Sequence, residues 1–135
     1  MRLQTGIYAI VQARMDSARL PGKVLMKVID KSILEHTVSR LLLSDLLQGV
    51  VVATTSRPCD IPIFRAASKL GVEAYCYFGD VKDVLSRVYH AAKTFNAVSI
   101  VRITNDCPLV DWNILNGAIQ YFQLGEFDFV TNRPD

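Results

Sequence analysis

The sequence is poor in cysteine and contains no long hydrophobic run. Its three cysteines are widely spaced and form no C-x-x-C pair. An odd number of scattered cysteines is typical of reduced thiols and not of a disulfide framework. No apolar run reaches the length of a membrane span, and the polar residues 1–6 do not form a signal peptide. These features predict a soluble, cytoplasmic protein without a membrane partner.

The sequence also lacks an excess of charge, internal repeats and linkers. Its formal net charge is +2 over 135 residues, which is too small to indicate nucleic acid as a general partner. The length is sufficient for one domain with its own hydrophobic core. We therefore predict a single domain over residues 1–135, in which any basic function is local.

Short apolar segments alternate with amphipathic ones along the chain. The expected strands are Ile7–Gln12, Val50–Thr54, Val72–Phe78, Val98–Ile103 and Phe127–Thr131. The expected helices begin at the capping residues Ser32, Asp60, Asp80 and Asp111. Continuously apolar strands between helices predict an α/β fold of three layers, α/β/α, with a mostly parallel, Rossmann-like sheet.

Ligands of such sheets bind beyond the carboxyl ends of the strands, where the connections diverge. The loops at those ends are Ala13–Lys23, Thr55–Asp60, Gly79–Asp83 and Thr104–Asp111. They also contain most of the unusual polar residues of the sequence. We therefore expect the functional site to be built from these loops.

The loop after the first strand is basic. Arg14, Arg19 and Lys23 lie within ten residues, and Pro21-Gly22 predicts a turn. Guanidinium groups, an ammonium group and free backbone N–H groups are suited to binding phosphate. The loop is neither a Walker A motif nor a dinucleotide fingerprint. Its composition alone supports a phosphate site and an ordinary solvated loop about equally.

A carboxylate follows the fourth strand. Mg²⁺ prefers one or two carboxylates together with phosphate oxygens and water, and Asp106 is placed for that role. Asp106 also precedes Pro108, so it can be an ordinary turn former. The residues of this segment alone favour the turn former.

Five segments together resemble one protein family. They are Gln12–Lys23 (Q-A-R-M-x-S-x-R-L-P-G-K), Leu34–Arg40, Val51–Thr55, Asp80–Arg87 and Val101–Leu109. In order and spacing they resemble the cytidylyltransferase family typified by the spore coat polysaccharide biosynthesis protein SpsF, which is related to the CMP-KDO and CMP-sialic acid synthetases. The resemblance covers the N-terminal half of that family, so the sheet is expected to be incomplete at its C-terminal end.

The resemblance implies a sugar nucleotidyltransferase that transfers CMP from CTP to a sugar with Mg²⁺, for surface polysaccharide biosynthesis. It implies that Arg14, Lys23 and Asp106 are catalytic, with Asp106 as the metal ligand. The residues implied in substrate binding are Gln12, Ala13, Arg14, Arg19, Lys23, Thr54, Asp80, Arg87 and Arg102. It leaves a homodimer as an open option.

Several of these residues also have simpler interpretations. Thr54 can be an ordinary strand-end hydroxyl, Asp80 only a helix cap, and Arg87 a surface residue. Arg102 can pair with Asp106 or reach a phosphate. His36 and His90 lack the spacing of a metal site and are interpreted as structural, and Cys107 is expected to be buried.

The chain departs from the family pattern at Asp16 and Asn105, where the family usually has glycine, and at Ala18, where it usually has threonine. A carboxylate at position 16 repels phosphate unless it points away or binds the metal. The alternative function is therefore a non-catalytic nucleotide-binding or assembly module. A glycosyltransferase of similar fold is less favoured, because the sequence has no Asp-x-Asp motif.

Overall fold

The computed structural model describes residues 6–133, and a parallel sheet of four strands forms its centre. In chain order the elements are β1 (Ile7–Gln12), β2 (Lys27–Val28), β3 (Lys31–Ser32), α1 (Ile33–Leu41), β4 (Gly49–Thr55), α2 (Ile61–Lys69), β5 (Glu73–Tyr77), α3 (Val84–Thr94), β6 (Ser99–Thr104) and α4 (Trp112–Gln123). The strand order is β5-β4-β1-β6, with every neighbouring pair parallel. This confirms the predicted mostly parallel sheet.

Helices cover both faces of the sheet, because its central strands are apolar on both sides. On one face, β1 and β4 pack against α1, α2 and α4 through Leu34, Ile63 and Leu115. On the other face, Ile10 and Val51 pack against α3. The predicted three-layer arrangement is therefore present. Within residues 6–133, no helix is long and apolar enough to cross a bilayer.

Two of the four predicted helix starts are confirmed by their capping contacts. The Ser32 hydroxyl accepts a hydrogen bond from the backbone N–H of Glu35 at 3.1 Å, and Asp111 caps α4 through its first-turn N–H groups. Gly71 follows α2 with φ +73°, as expected after a helix. Asp60 is at the start of α2, but its carboxylate makes no capping hydrogen bond.

One predicted strand is wrong, and one predicted helix begins later than expected. The expected strand Phe127–Thr131 does not form, and Phe127 instead stacks on Tyr121 of α4, with the ring centroids 4.7 Å apart. The segment has no neighbouring strand within the described residues, and an extended segment is stable only with such a partner.

The helix expected after Asp80 begins three residues later than predicted. Asp80 accepts a hydrogen bond from the backbone N–H of Lys82 at 2.8 Å, which closes a local turn. Asp83 then caps α3 by accepting from the N–H of Ser86 at 3.0 Å. Both carboxylates satisfy the usual capping pattern, so the sequence alone did not distinguish them.

A short hairpin, β2–β3, was not predicted. Its turn contains Ile29 at φ +64°, without the Asn-Gly or Asp-Gly pair that marks a hairpin in sequence. His36 of α1 donates a hydrogen bond from Nε2 to the carbonyl of Val28 at 3.0 Å. This histidine therefore attaches the hairpin to the helix, in agreement with its interpretation as structural.

The order of the strands determines where a ligand can enter. The chain proceeds from β1 to β4 and β5 on one side, and then returns to β6 on the other side of β1. The connections therefore diverge at the carboxyl ends of β1 and β6, the position at which open α/β sheets bind ligands.

Candidate functional site

An open cleft of about 290 Å³ lies at this divergence, beyond the ends of β1 and β6. Six residues of the predicted site line it: Gln12, Ala13, Arg14, Arg19, Lys23 and Asp106. The remaining lining residues are Ser17, Ala18, Val24, Thr104 and Asn105. The cleft thus brings the basic loop and the strand-end carboxylate to one place, although 83 positions separate Lys23 from Asp106 in the sequence.

Backbone hydrogen bonds fold the basic loop back on itself. The carbonyl of Met15 accepts from the N–H of Gly22 at 2.7 Å and from that of Ser17 at 3.0 Å. Gly22 has φ +74°, a conformation that glycine adopts without strain. The short 3₁₀ helix that follows buries Val24 in the core. This turn returns Lys23 to the cleft, as the Pro-Gly pair predicted.

Asp106 and Lys23 face each other across the cleft. Lys23 Nζ lies 4.0 Å from Asp106 Oδ2, and both side chains are partly exposed. Hydrogen bonds from the Thr104 hydroxyl and from the backbone at Asp106, together with the charge of Lys23, hold the pKa of Asp106 below its ordinary value. The carboxylate is therefore ionised at neutral pH.

The surroundings of Asp106 suit one kind of metal site. The described part of the chain contains no group of three or more His, Cys, Asp or Glu side chains that could hold a metal ion. Mg²⁺ often binds through one or two carboxylates, with substrate phosphates and water as the other ligands. A single ionised carboxylate beside three cationic side chains of the same cleft fits that kind of site.

Asp16 turns away from the cleft and pairs with Arg57. Two nearly parallel hydrogen bonds join them, from Arg57 Nη1 and Nη2 to the two carboxylate oxygens at 2.7 and 2.8 Å. These bonds are the main reason that the pKa of Asp16 is lowered from 3.8 to about 2. The charge of Asp16 is therefore compensated, and Asp16 does not line the cleft.

Asp60 connects the basic loop to the end of β4. Its side chain is fully buried, and it accepts a hydrogen bond from the backbone N–H of Met15 at 2.7 Å. It also accepts from the Thr55 hydroxyl, and from Arg57 Nη2 at 3.0 Å. Sequence reasoning placed Asp60 in a site loop but interpreted it only as a helix cap. The nearby Arg57 was the available signal for a charged network.

Four predicted binding residues lie outside the cleft, namely Thr54, Asp80, Arg87 and Arg102. Thr54 is fully buried, and its hydroxyl has no hydrogen-bond partner among the described residues. Asp80 is exposed in its local turn. Arg102 is exposed on β6, where its Nε lies 3.4 Å from Gln12 Oε1, and it forms no ion pair with Asp106. Their roles in substrate binding stay predictions.

The interpretation of Arg87 as a surface residue is wrong. Arg87 lies on the same face of α3 as Val88 and Ala91, which pack on the sheet, and it is only 1% exposed. Its Nη2 donates to the carbonyl of Val81 at 2.5 Å, while its Nε has no partner among the described residues. Burial lowers the pKa of Arg87. Arg87 does not line the cleft.

The expectation that Cys107 is buried is also wrong. Its thiol is exposed in the turn after β6 and lies 3.4 Å from the Thr104 hydroxyl. The chain turns there before the helix-capping residue Asp111, so position 107 is carried away from the core.

His90 packs between two aromatic rings. The Tyr77 ring is stacked on it, with the centroids 5.8 Å apart, and the Tyr89 ring is edge-on at 5.3 Å.

The Asp16–Arg57 pair predicts a loss of stability in acid. The pKa of Asp16 is lowered from 3.8 to about 2 in the folded protein, so its contribution is complete above about pH 4 and is lost as the pH falls towards 2. We expect the free energy of unfolding, measured in urea, to decrease less steeply over this interval in Asp16→Asn than in the unmodified protein. Equal slopes would show that the pair does not form in solution.

Comparison with known proteins identifies the family. A family model described as Cytidylyltransferase matches residues 8–133. The chain belongs to the cytidylyltransferase family. This confirms the resemblance found in the sequence motifs, and the match extends from β1 to the end of the described residues.

Relatives of this cytidylyltransferase include two curated bacterial proteins. It is 32% identical to the spore coat polysaccharide biosynthesis protein SpsF of Bacillus subtilis, over 95% of this chain and 55% of the relative. It is 32% identical to a 3-deoxy-manno-octulosonate cytidylyltransferase of Solibacter usitatus, over 84% of this chain and 43% of the relative. The chain thus spans about half the length of the curated relatives it matches.

A solved structure supports the same family. A cytidylyltransferase from Leptospira borgpetersenii superposes with a TM-score of 0.84 and 37% identity, over 91% of this chain and 51% of that chain. The sheet and helices described above therefore correspond to about half of a larger cytidylyltransferase structure.

Proposed function

We propose that this cytidylyltransferase chain binds CTP in the cleft beyond β1 and β6. The observation that carries the proposal is the convergence of Arg14, Arg19 and Lys23 with Asp106 where the strand connections diverge. Guanidinium and ammonium groups bind phosphate oxygens by charge-assisted hydrogen bonds. Family membership supports cytidine as the base.

We further propose that the whole protein transfers CMP from CTP to a sugar, for the synthesis of a surface polysaccharide. The names of the two curated relatives, a 3-deoxy-manno-octulosonate cytidylyltransferase and SpsF, support this substrate class. In such a transfer, a sugar hydroxyl attacks the α-phosphate and pyrophosphate leaves. The protein contributes by positioning the reactants and by neutralising charge.

The cleft residues have different roles in this reaction. Arg14, Arg19 and Lys23 hold the phosphates and stabilise the charge that develops on the leaving pyrophosphate. Asp106 would hold Mg²⁺ against the phosphate oxygens, where a bound divalent cation supplies further charge neutralisation. Gln12 and Ala13 lie at the end of β1, where they can contact the nucleoside.

Titration calorimetry tests the proposal directly. We expect CTP to bind in the presence of Mg²⁺, and cytidine without phosphates to bind far more weakly. If no nucleoside triphosphate binds at millimolar concentration, the proposal is wrong. If CTP binds but pyrophosphate is not released with any sugar acceptor tested, this chain by itself acts as a nucleotide-binding module.

The role of Asp106 predicts opposite effects with and without metal. In Asp106→Asn, CTP affinity measured with Mg²⁺ is expected to fall roughly 10- to 100-fold, the size of a lost interaction between charged groups. With EDTA in place of Mg²⁺, the affinity should be unchanged or higher, because a carboxylate that repels phosphate has been removed.

The exposed Asp128, which has no ion pair among the described residues, supplies the control for the same charge change. Asp128→Asn should leave CTP affinity unchanged with Mg²⁺ and with EDTA. A loss of affinity in Asp106→Asn that is equal with and without Mg²⁺ would contradict a metal role for Asp106.

A further inference from the structure

The Asp16 carboxylate lies between two competing cations. Arg57 binds both of its oxygens, at 2.7 and 2.8 Å. Arg14 Nε lies 3.5 Å from Oδ1 of the same carboxylate. Arg14 lines the cleft, whereas Asp16 and Arg57 do not. A carboxylate saturated by one guanidinium has little attraction left for a second.

We propose that Arg57 is a positioning residue of the nucleotide site: by holding the Asp16 carboxylate, it leaves Arg14 free to bind phosphate. This inference rests on the proposed function. Arg57 acts through Asp16 and does not touch the ligand. Without Arg57, the nearest cation to Asp16 is Arg14, and the two would form a closed ion pair that incoming phosphates must break.

Arg57 is itself fixed by the buried Asp60. Asp60 Oδ2 accepts hydrogen bonds from Arg57 Nη2 at 3.0 Å and from Nε at 3.3 Å. The other oxygen of Asp60 accepts from the backbone N–H of Met15, the residue before Asp16. The basic loop is therefore attached at two consecutive residues to the segment that follows β4. This double attachment keeps Asp16 beside Arg57 and turned away from the cleft.

The arrangement also changes the expectation for Asp16. An unpaired carboxylate in a phosphate loop would weaken triphosphate binding, and its removal would strengthen it. Because Arg57 already compensates the charge, we expect Asp16→Asn alone to change CTP affinity little. Asp16 becomes harmful to binding only when Arg57 is removed.

A double-mutant cycle tests this dependence. We expect Arg57→Ala to weaken binding of CTP with Mg²⁺ by about tenfold, a typical coupling between residues in contact. The double variant Asp16→Asn with Arg57→Ala should regain nearly the affinity of the unmodified protein. Arg65→Ala is the control, since it removes one positive charge from the exposed surface of α2, where Arg65 has no ion pair among the described residues.

A second cycle uses Arg14. Arg14→Ala should weaken CTP binding strongly in the unmodified protein and much less when Arg57 is already replaced by alanine, because Arg14 is then held by Asp16. Arg57→Lys covers the case in which Arg57→Ala does not fold. Lysine keeps the charge beside Asp60 but cannot form two parallel hydrogen bonds, so an intermediate loss is expected, with the same rescue by Asp16→Asn.

The outcomes separate this inference from the proposed function. If the unmodified protein binds no triphosphate, both are rejected. If it binds CTP but Arg57→Ala binds equally well, only the positioning role is rejected. If Arg57→Ala and Arg57→Lys weaken binding and Asp16→Asn restores neither, Arg57 acts by some other route and the inference is also overturned.

Discussion

Replacing Asp60 by alanine is expected to lower the free energy of unfolding by about 2–4 kcal/mol, because each buried donor that loses its acceptor costs about 1–3 kcal/mol. Asp60 is fully buried and accepts hydrogen bonds from the Met15 backbone, the Thr55 hydroxyl and Arg57. Without the carboxylate, the Met15 N–H and the Thr55 hydroxyl lose their acceptor, and the guanidinium keeps only Asp16 as a counter-charge. Urea unfolding followed by circular dichroism measures the change.

Two further variants sharpen this test. Asp60→Asn keeps the shape and one acceptor oxygen but removes the charge, so its loss should be smaller than that of Asp60→Ala. Asp128→Ala removes an exposed carboxylate without an ion pair among residues 6–133, and its effect should stay within about 0.5 kcal/mol. If Asp60→Ala is no more destabilising than Asp128→Ala, the buried network does not hold the basic loop.

Replacing Arg19 by alanine is expected to weaken CTP binding roughly 10- to 100-fold, the effect of losing a hydrogen bond to a charged group. Arg19 lines the cleft, is exposed, and has no ion pair among the residues that the structure describes. Its guanidinium is therefore free to bind phosphate, and its removal should not affect stability. Calorimetric titration with CTP and Mg²⁺ measures the loss.

Arg65→Ala provides the control for Arg19→Ala as well, because it removes the same charge from an exposed position on α2. It should bind CTP like the unmodified protein. Cytidine has no phosphates, so its binding should be the same in the unmodified protein, Arg19→Ala and Arg65→Ala. Unchanged CTP affinity in Arg19→Ala would remove Arg19 from the phosphate site.

Much of the fold could be predicted because its signals are local. The period of the apolar residues indicated four of the strands and all four helices, and the caps at Ser32 and Asp111 fixed where two helices begin. The wrong strand at Phe127–Thr131 shows the limit of this reasoning. A strand needs a partner, and a local pattern does not show whether one is present.

Part of the candidate site could likewise be predicted from local signals, and part of it could not. Spacing alone placed Arg14, Arg19 and Lys23 on one strand-end loop, and the parallel order of the sheet brought that loop to Asp106. Arg87 was interpreted as a surface residue because it is charged. Its position in the helical period, however, places it on the face of α3 that the sheet covers. A sequence pattern shows which residues share a face, but not which neighbour covers that face.

By itself, the sequence determined the α/β class and the basic loop, since each depends on residues close together in the chain, and it determined the family through five motifs in order. Only the tertiary structure decided the state of Asp16, whose partner Arg57 lies 41 positions away, and the anchoring of Met15 by Asp60, 45 positions away. The physical reason is that an ion pair depends on distances between atoms. Those distances are set by the packing of β1 beside β4, which no spacing within either segment reveals.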